Sequence, residues 1–259
     1  MRASEGDPRR PAPAWLITDD YEDHEIGPLT SGKEAEVLVV ERRAGDRSCW
    51  LIHKRYRPRE VGQKGELEAR GFQGSSTFVN DRAYREGWDL PRGGRERRAM
   101  ARRSRFGRRL LAAQWADHEI GVMTRAWEAG VDVPFPVSST EEGMLMEYLG
   151  DERGAAPELA RARVGPDDLR AAFDQLVANL VRLASVGIVH ADLSAYNLLW
   201  WRGRVHVIDF PQAVDQWANP NGFELLHRDV ANVCRFFSRR GISCDADEVF
   251  GRVLDEATP

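Results

Sequence analysis

The sequence predicts an α+β fold, in which short strands are interspersed with two long helices. Three observations predict it. Apolar and β-branched residues gather in two short runs early in the chain, at 30–41 and 48–56. Two stretches, 110–130 and 167–186, repeat apolar residues at helical spacing. Short apolar runs at 143–150 and 198–208, punctuated by glycine, are too brief for helices and read as strands. At 259 residues the chain is long enough for one bilobal unit or two small domains.

The elements follow in order. Residues 1–13 hold three prolines, three arginines and few large apolar groups, and read as a flexible leader. Residues 15–29 are acidic and mixed, a short helix or an irregular lead-in, so the folded domain is expected to begin at residue 28. Thr30, Ser31 and Gly32 are small and make a turn whose backbone can come close to a phosphate; an ordinary surface hairpin turn reads the same way. The strand at 48–56 carries Lys54. Residues 57–109 contain several glycines, a Gly-Ser-Ser-Thr tract at 74–77 and an Arg-rich segment from Arg92 to Arg109, and read as a solvated, partly helical excursion.

Leu111, Trp115, Ile120, Met123 and Trp127 then mark the first long helix, with Gly130 at its end. Pro134 and Pro136 push the residues before them toward extended conformations, so 131–136 is not helical. Leu169, Phe173, Leu176, Leu180 and Leu183 form the apolar face of the second long helix, ended by Gly187. The turn Arg202-Gly203-Arg204 joins two short strands at 198–208 into a hairpin. A last periodic stretch, about 225–239, carries Asp229 near its start, where a capping carboxylate is one reading. No internal repeat is evident.

Bulk properties exclude some functions. Net charge is −4, so overall charge does not point to nucleic acid. Three cysteines, Cys49, Cys234 and Cys244, form no C-x-x-C pair and suit reduced thiols. No signal-like segment opens the sequence and no apolar run is long enough to span a bilayer, so a cytoplasmic protein without a membrane partner is expected. The basic residues are nearly all arginine; Lys33, Lys54 and Lys64 are the only lysines, which makes each one informative.

The chemistry concentrates at 187–197, Gly-Ile-Val-His-Ala-Asp-Leu-Ser-Ala-Tyr-Asn, and at 205–210, Val-His-Val-Ile-Asp-Phe. Asp192 follows His190, Asn197 stands five residues on, and Asp209 closes a short apolar run. That spacing suits phosphoryl transfer. One Asp orients the attacking hydroxyl, while the Asn and the second Asp hold a metal among phosphates. Oxygen ligands of this kind suit magnesium, a hard cation.

The run His-Ala-Asp-Leu-Ser-x-Tyr-Asn, together with Ile-Asp-Phe-Pro-Gln-Ala-Val at 208–214, resembles the RIO family of atypical protein kinases, and its first, archaeal and eukaryotic branch in particular. Ordinary protein kinases read His-Arg-Asp and Asp-Phe-Gly at these places; here Ala191 and Pro211 depart from that pattern. The resemblance covers roughly residues 28–250. It implies the two-lobed kinase fold, with a small lobe at 28–146, a hinge at 147–150 and a reduced helical lobe at 151–259. No Ala-Pro-Glu motif follows Asp215, which suits that reduced lobe.

The resemblance also implies roles. Asp192 orients the nucleophile; Asn197 and Asp209 hold Mg2+, with Mn2+ as a substitute. Lys54 holds the ATP phosphates and Glu119, in Trp115-Ala-Asp-His-Glu119, holds Lys54. Ser31, Gly32 and Lys33 cover the nucleotide, and backbone groups at Glu147 and Leu149 meet the adenine. Asp229 braces the catalytic stretch, and Ser104 is a candidate for autophosphorylation.

The implied activity is ATP-dependent serine phosphorylation of itself or a partner, or ATP hydrolysis with Asp209 transiently phosphorylated. Two alternatives stay open. One is a small-molecule phosphotransferase of the aminoglycoside or choline type. Against it, such enzymes usually place Gly before the Asn, where this chain has Tyr196. The other is a nucleotide-gated module on RNA or a ribosomal particle, docked through Arg92 to Arg109. The Arg-heavy composition suits a GC-rich, bacterial genome.

Overall fold

The computed structural model describes residues 10–31, 35–56 and 105–257. Strands β1 (Glu22–Ser31), β2 (Ala35–Ala44) and β3 (Arg47–Tyr56) form an antiparallel meander. With β4 (Pro136–Ser139) and β5 (Gly143–Glu147) they make a five-stranded antiparallel sheet in the order β1-β2-β3-β5-β4. The two-residue loop between β2 and β3 places Gly45 at φ 57°, a conformation that glycine adopts without steric cost. Alternation sorts the faces: Leu38, Val40 and Arg42 are buried on β2, and Lys54 and Tyr56, two residues apart, point the same way from β3.

Of the stretch at 15–29 expected to be a short helix or irregular lead-in, 15–21 is irregular and the rest, from Glu22, is strand β1, which crosses the boundary expected at residue 28. Its pairing with β2 shifts register between Glu25 and Gly27 and again between Pro28 and Thr30. Those bulges erase the period-two pattern by which a strand is read from sequence. What fixes the lead-in is Arg42. Its guanidinium, 2% exposed, donates to both carboxylate oxygens of Asp23 at 2.7 and 2.9 Å and to the Ile17 carbonyl at 3.2 Å, and stacks on Tyr21. Ile17 itself is buried.

Helix α1 (Arg105–Glu128) begins five residues before the expected start, inside the Arg-rich segment, and the chain leaves it through Gly130 at φ 79°. Ala116, Glu119, Met123 and Ala126 are buried along it at helical spacing. After β5 come a small hairpin, β6 (Gly150–Asp151) and β7 (Gly154–Ala155), and helix α2 (Pro166–Ser185). Pro166 suits the first helical turn, where no N–H partner is lost, and Asp167 and Asp168 meet the positive end of the helix dipole.

The remaining elements frame the site. Strand β8 (Ile188–Val189) pairs with β11 (Val214–Asp215), and β9 (Leu198–Trp201) with β10 (Arg204–Val207). Arg202 and Gly203 both have positive φ in the β9–β10 turn, the geometry of a tight twisted hairpin. Helix α3 (Gly222–Ser238) follows almost at once, and α4 (Ala246–Ala257), not expected from the sequence, packs on α2 and α3. One large apolar core joins the inner faces of all four helices to β8, β9 and β10; the sheet adds only small clusters of its own. The fold is therefore α+β, with an antiparallel sheet lobe and a helical lobe. No helix among the described residues is long and apolar enough to cross a membrane.

Candidate active site

Two loops and three flanking elements build the site. The catalytic loop runs between β8 and β9 and carries Asp192 and Asn197. The metal loop runs between β10 and β11 and carries Asp209. Backbone bonds join them: the Ile208 N–H donates to the Asn197 carbonyl at 3.0 Å, and the His190 ring lies 2.9 Å from the Ile208 carbonyl. The Asn197 side-chain amide donates to the Asp192 carbonyl at 2.8 Å. This leaves the Asn197 side-chain oxygen for another partner.

The catalytic loop is held from below by α3. Ala191 sits at φ 64°, a strained conformation for a residue with a Cβ. The Asp229 carboxylate accepts the Ala191 N–H at 2.7 Å and the Leu193 N–H at 2.9 Å. Arg228 donates to the Ala191 carbonyl, and Asn232 to the Leu193 carbonyl at 3.2 Å. All four bonds go to backbone, so they fix the loop's path whatever its side chains. Burial pushes the Asp229 carboxyl above the usual range, against the pull of His190, the two amides and Arg228.

The metal loop is held from the other side by α1 and β3. Lys54 Nζ lies 2.7 and 2.8 Å from the two Glu119 oxygens and 2.6 Å from Asp209 Oδ1. The Tyr56 hydroxyl donates to Glu119 Oε2, and the Phe210 N–H donates to Oε1 at 2.9 Å. Glu119, 1% exposed, therefore accepts four hydrogen bonds from three donors, two on β3 and one on the metal loop. The neighbouring His118 ring lies 3.0 Å from the Ala213 carbonyl, a second hold on the same turn. Asp209 itself is at φ 70°.

The charges do not balance inside the cluster. One ammonium faces two carboxylates, with Asp192 nearby. Burial alone would lower the Lys54 pKa, but Asp209 and Glu119 hold it above the ordinary lysine value. Lys54 in turn holds Asp209 below the carboxylate range. Burial lifts the Asp192 carboxyl; His190 pulls it back and Asp209 lifts it further. An excess of hard oxygen donors of this kind fits a hard divalent cation. Asp209, with a side chain 43% exposed, and the Asn197 amide oxygen are the two donors suited to it. No group of three His, Cys, Asp or Glu side chains among the described residues is arranged to hold a metal. A site made of these two groups leaves its other coordination positions to water or to ligand oxygens.

Elsewhere in the site, the Glu147 N–H donates to the Phe135 carbonyl at 2.8 Å, its carboxylate accepts the Phe135 N–H, and the Leu149 carbonyl accepts the Ala156 N–H at 2.8 Å. Ser31 ends β1. Gly32, Lys33, Ser104 and residues 92–104 of the Arg-rich segment lie outside the described residues. Sequence reasoning missed Tyr56, Arg228, His118 and Asn232. Only Tyr56 left a signal, as the residue two beyond Lys54 on one strand face.

A family model described as the RIO domain matches residues 82–249. The RIO-type serine/threonine-protein kinase Rio1 of Haloferax volcanii is 32% identical over 237 residues, 91% of this chain and 70% of that protein. Rio1 of Thermoplasma acidophilum is 34% identical over 145 residues, 56% of this chain and 75% of its own. The mouse serine/threonine-protein kinase RIO3 is 33% identical over 141 residues, and the matched part is only 27% of its length. With its family model matched across both loops and an archaeal Rio1 aligned over 91% of this chain's length, the chain belongs to the RIO family.

Proposed function

We propose that the chain is an ATP- and magnesium-dependent serine/threonine protein kinase of the RIO type, phosphorylating a serine on itself or a partner, with ATP hydrolysis as the second output of the same site. The observation that carries this reading is the Lys54–Glu119–Asp209 contact set beside Asp192 and Asn197. The relatives' names as serine/threonine-protein kinases support it.

Each residue has a physical task. Lys54, desolvated and fixed by Glu119, presents a compact cation to the α- and β-phosphates. The backbone at Ser31 and Gly32, with Lys33, covers the nucleotide. The Glu147 N–H and the Leu149 carbonyl are committed elsewhere, which leaves the Glu147 carbonyl and the Leu149 N–H for the adenine edge. Asn197 and Asp209 would hold Mg2+, which when bound neutralises phosphate charge. Asp192 accepts the proton of the serine hydroxyl as that oxygen bonds to the γ-phosphorus and the bond to ADP breaks.

The test is incubation with γ-labelled ATP and magnesium, alone and with cell extract. Label on serine of this chain or a partner, lost in Asp192→Ala and Asp209→Ala, is the expected result. Label released as phosphate is the hydrolytic output of the same site. Label transferred to an aminoglycoside or to choline, with none on protein, overturns the reading. A phosphopeptide map of the labelled chain also decides whether Ser104 receives it.

A further inference from the structure

Cys234 and Cys244 meet at the corner where α3 turns into α4, and neither has been given a part in the site described above. Cys234 lies on the last turns of α3 and is 4% exposed; Cys244 lies in the connecting loop and is half-buried. Cys244 Sγ is 3.3 Å from the Cys234 carbonyl oxygen and 3.3 Å from Ser238 Oγ. Cys234 Sγ in turn faces the Asp245 carbonyl at 4.0 Å, the residue next to Cys244. Cys244 Sγ therefore sits against the Cys234 backbone, and Cys234 Sγ against the backbone of the residue that follows Cys244. We propose that Cys234 and Cys244 are a thiol–disulfide site, oxidised to an intrachain disulfide by low-molecular-weight disulfides.

The order of steps follows from exposure. Cys244 is the thiol a small molecule can reach, so its thiolate attacks one sulfur of the oxidant RSSR and releases one RS−. The Cys234 thiolate then attacks Cys244 Sγ, closing the intrachain bond and releasing the second RS−. The balance is two protein thiols and one small disulfide giving one protein disulfide and two small thiols. Burial, and then the Cys244 thiol beside it, push the Cys234 thiol up to about 12, so closure is the slow step and quickens with pH. Cys49 is buried and stays reduced.

The bond would matter because of what α3 carries. Arg228, Asp229 and Asn232, the residues that fix the catalytic loop's backbone, lie within two turns before Cys234 on the same helix. At the other end of the bond, the Asp245 carboxylate accepts the Asp247 and Glu248 N–H groups at the start of α4. A disulfide fastens these two helix ends together under the site.

Trypsin separates the two cysteines, since Arg235 and Arg240 lie between them. The experiment treats the purified full chain with an excess of oxidised glutathione, blocks residual thiols with iodoacetamide under denaturing conditions, and maps peptides with and without reductant. The expected result is a fall from three free thiols to one, with peptides 229–235 and 241–252 joined by a reducible link. Cys244→Ser, a change at a half-buried position, should keep both its thiols under the same treatment. Three thiols retained, or glutathione held on Cys244 with no link to 229–235 after prolonged incubation at alkaline pH, overturns the proposal.

Discussion

Glu119 and Asp229 are both buried to 1% exposure or less, and the protein satisfies them in opposite ways. Asp229 is met by backbone amides of a strained loop, while Arg228 and Asn232 take that loop's carbonyls. Glu119 is met by an ammonium and a phenol, with a single amide from the metal loop. Amides of a fixed loop have nowhere else to go, so the Asp229 arrangement is a permanent brace. A lysine shared between Glu119 and Asp209 can change partners, and under the proposed function it hands its cation to phosphate. The helical lobe thus supplies rigidity to the catalytic loop, and the sheet lobe supplies an adjustable charge.

If that contrast is right, removing the brace harms the fold most. Asp229→Ala leaves two buried amides without acceptors, a cost of about 2–6 kcal/mol at about 1–3 for each. It also frees Ala191 from its left-handed conformation. Urea unfolding should show the stability loss, and phosphate transfer should fall with it. A variant that unfolds like the wild type would mean the loop finds other partners and the brace is dispensable.

Removing the adjustable charge should harm turnover rather than fold. Lys54→Ala is expected to lower initial rates about 100- to 1,000-fold at saturating ATP, the loss typical of one fixed charge-stabilising donor. Lys54→Arg should not restore them, because a planar guanidinium does not fit between two carboxylates spaced for an ammonium. The melting temperature should move less than in Asp229→Ala, since Glu119 escapes its buried charge by taking a proton. Equal losses for Lys33→Ala and Lys64→Ala would remove the special role of Lys54.

A smaller effect is expected at Tyr56. Tyr56→Phe deletes one donor to Glu119 and keeps the ring packed edge-on against Trp115. One hydrogen bond is worth about 1 kcal/mol, so turnover should fall no more than about 10-fold. A loss as large as that of Lys54→Ala would mean that the phenol, and not the cation, sets Glu119.

These two regions also differ in how readable they were. The two loops were legible as a site because their candidate residues are close in sequence: Asp192 and Asn197 lie on the first loop, and Asp209 follows on the second, 17 residues after Asp192. The helices α1, α2 and α3 were legible from period, though α1 starts early, where Gly107 and the arginines at 105, 108 and 109 leave Phe106 as the one apolar residue before Leu110. Strand β1 was not legible, because its bulges break alternation and its anchor, Arg42 on Asp23, is a contact between residues 19 apart. Helix α4 is short and its two buried residues, Val249 and Val253, are too few to stand out. Arg228 and Asn232 act on backbone atoms of a loop more than 35 residues away, and no spacing in the sequence announces that.

The smallest effect tests the brace by pH. Burial raises the Asp229 carboxyl above its value in an unfolded chain, about 3.9 for an aspartate. A group raised in this way contributes stability that is complete below the unfolded value. The contribution is lost as pH rises through the folded value, because the folded protein must then ionise a carboxyl that burial disfavours. Asp229→Asn does not titrate and keeps one oxygen to accept an amide. It should be less stable than the wild type in acid, since its amide N–H2 faces a backbone donor. The gap between the two should narrow as pH rises above about 4 and become constant once Asp229 is ionised in the fold. Paired urea unfolding curves across that range read the gap directly, and contributions from other carboxyls cancel in the difference. A gap that widens with pH would show that the Ala191 and Leu193 amides outweigh burial, making the ionised carboxylate the preferred form of the brace.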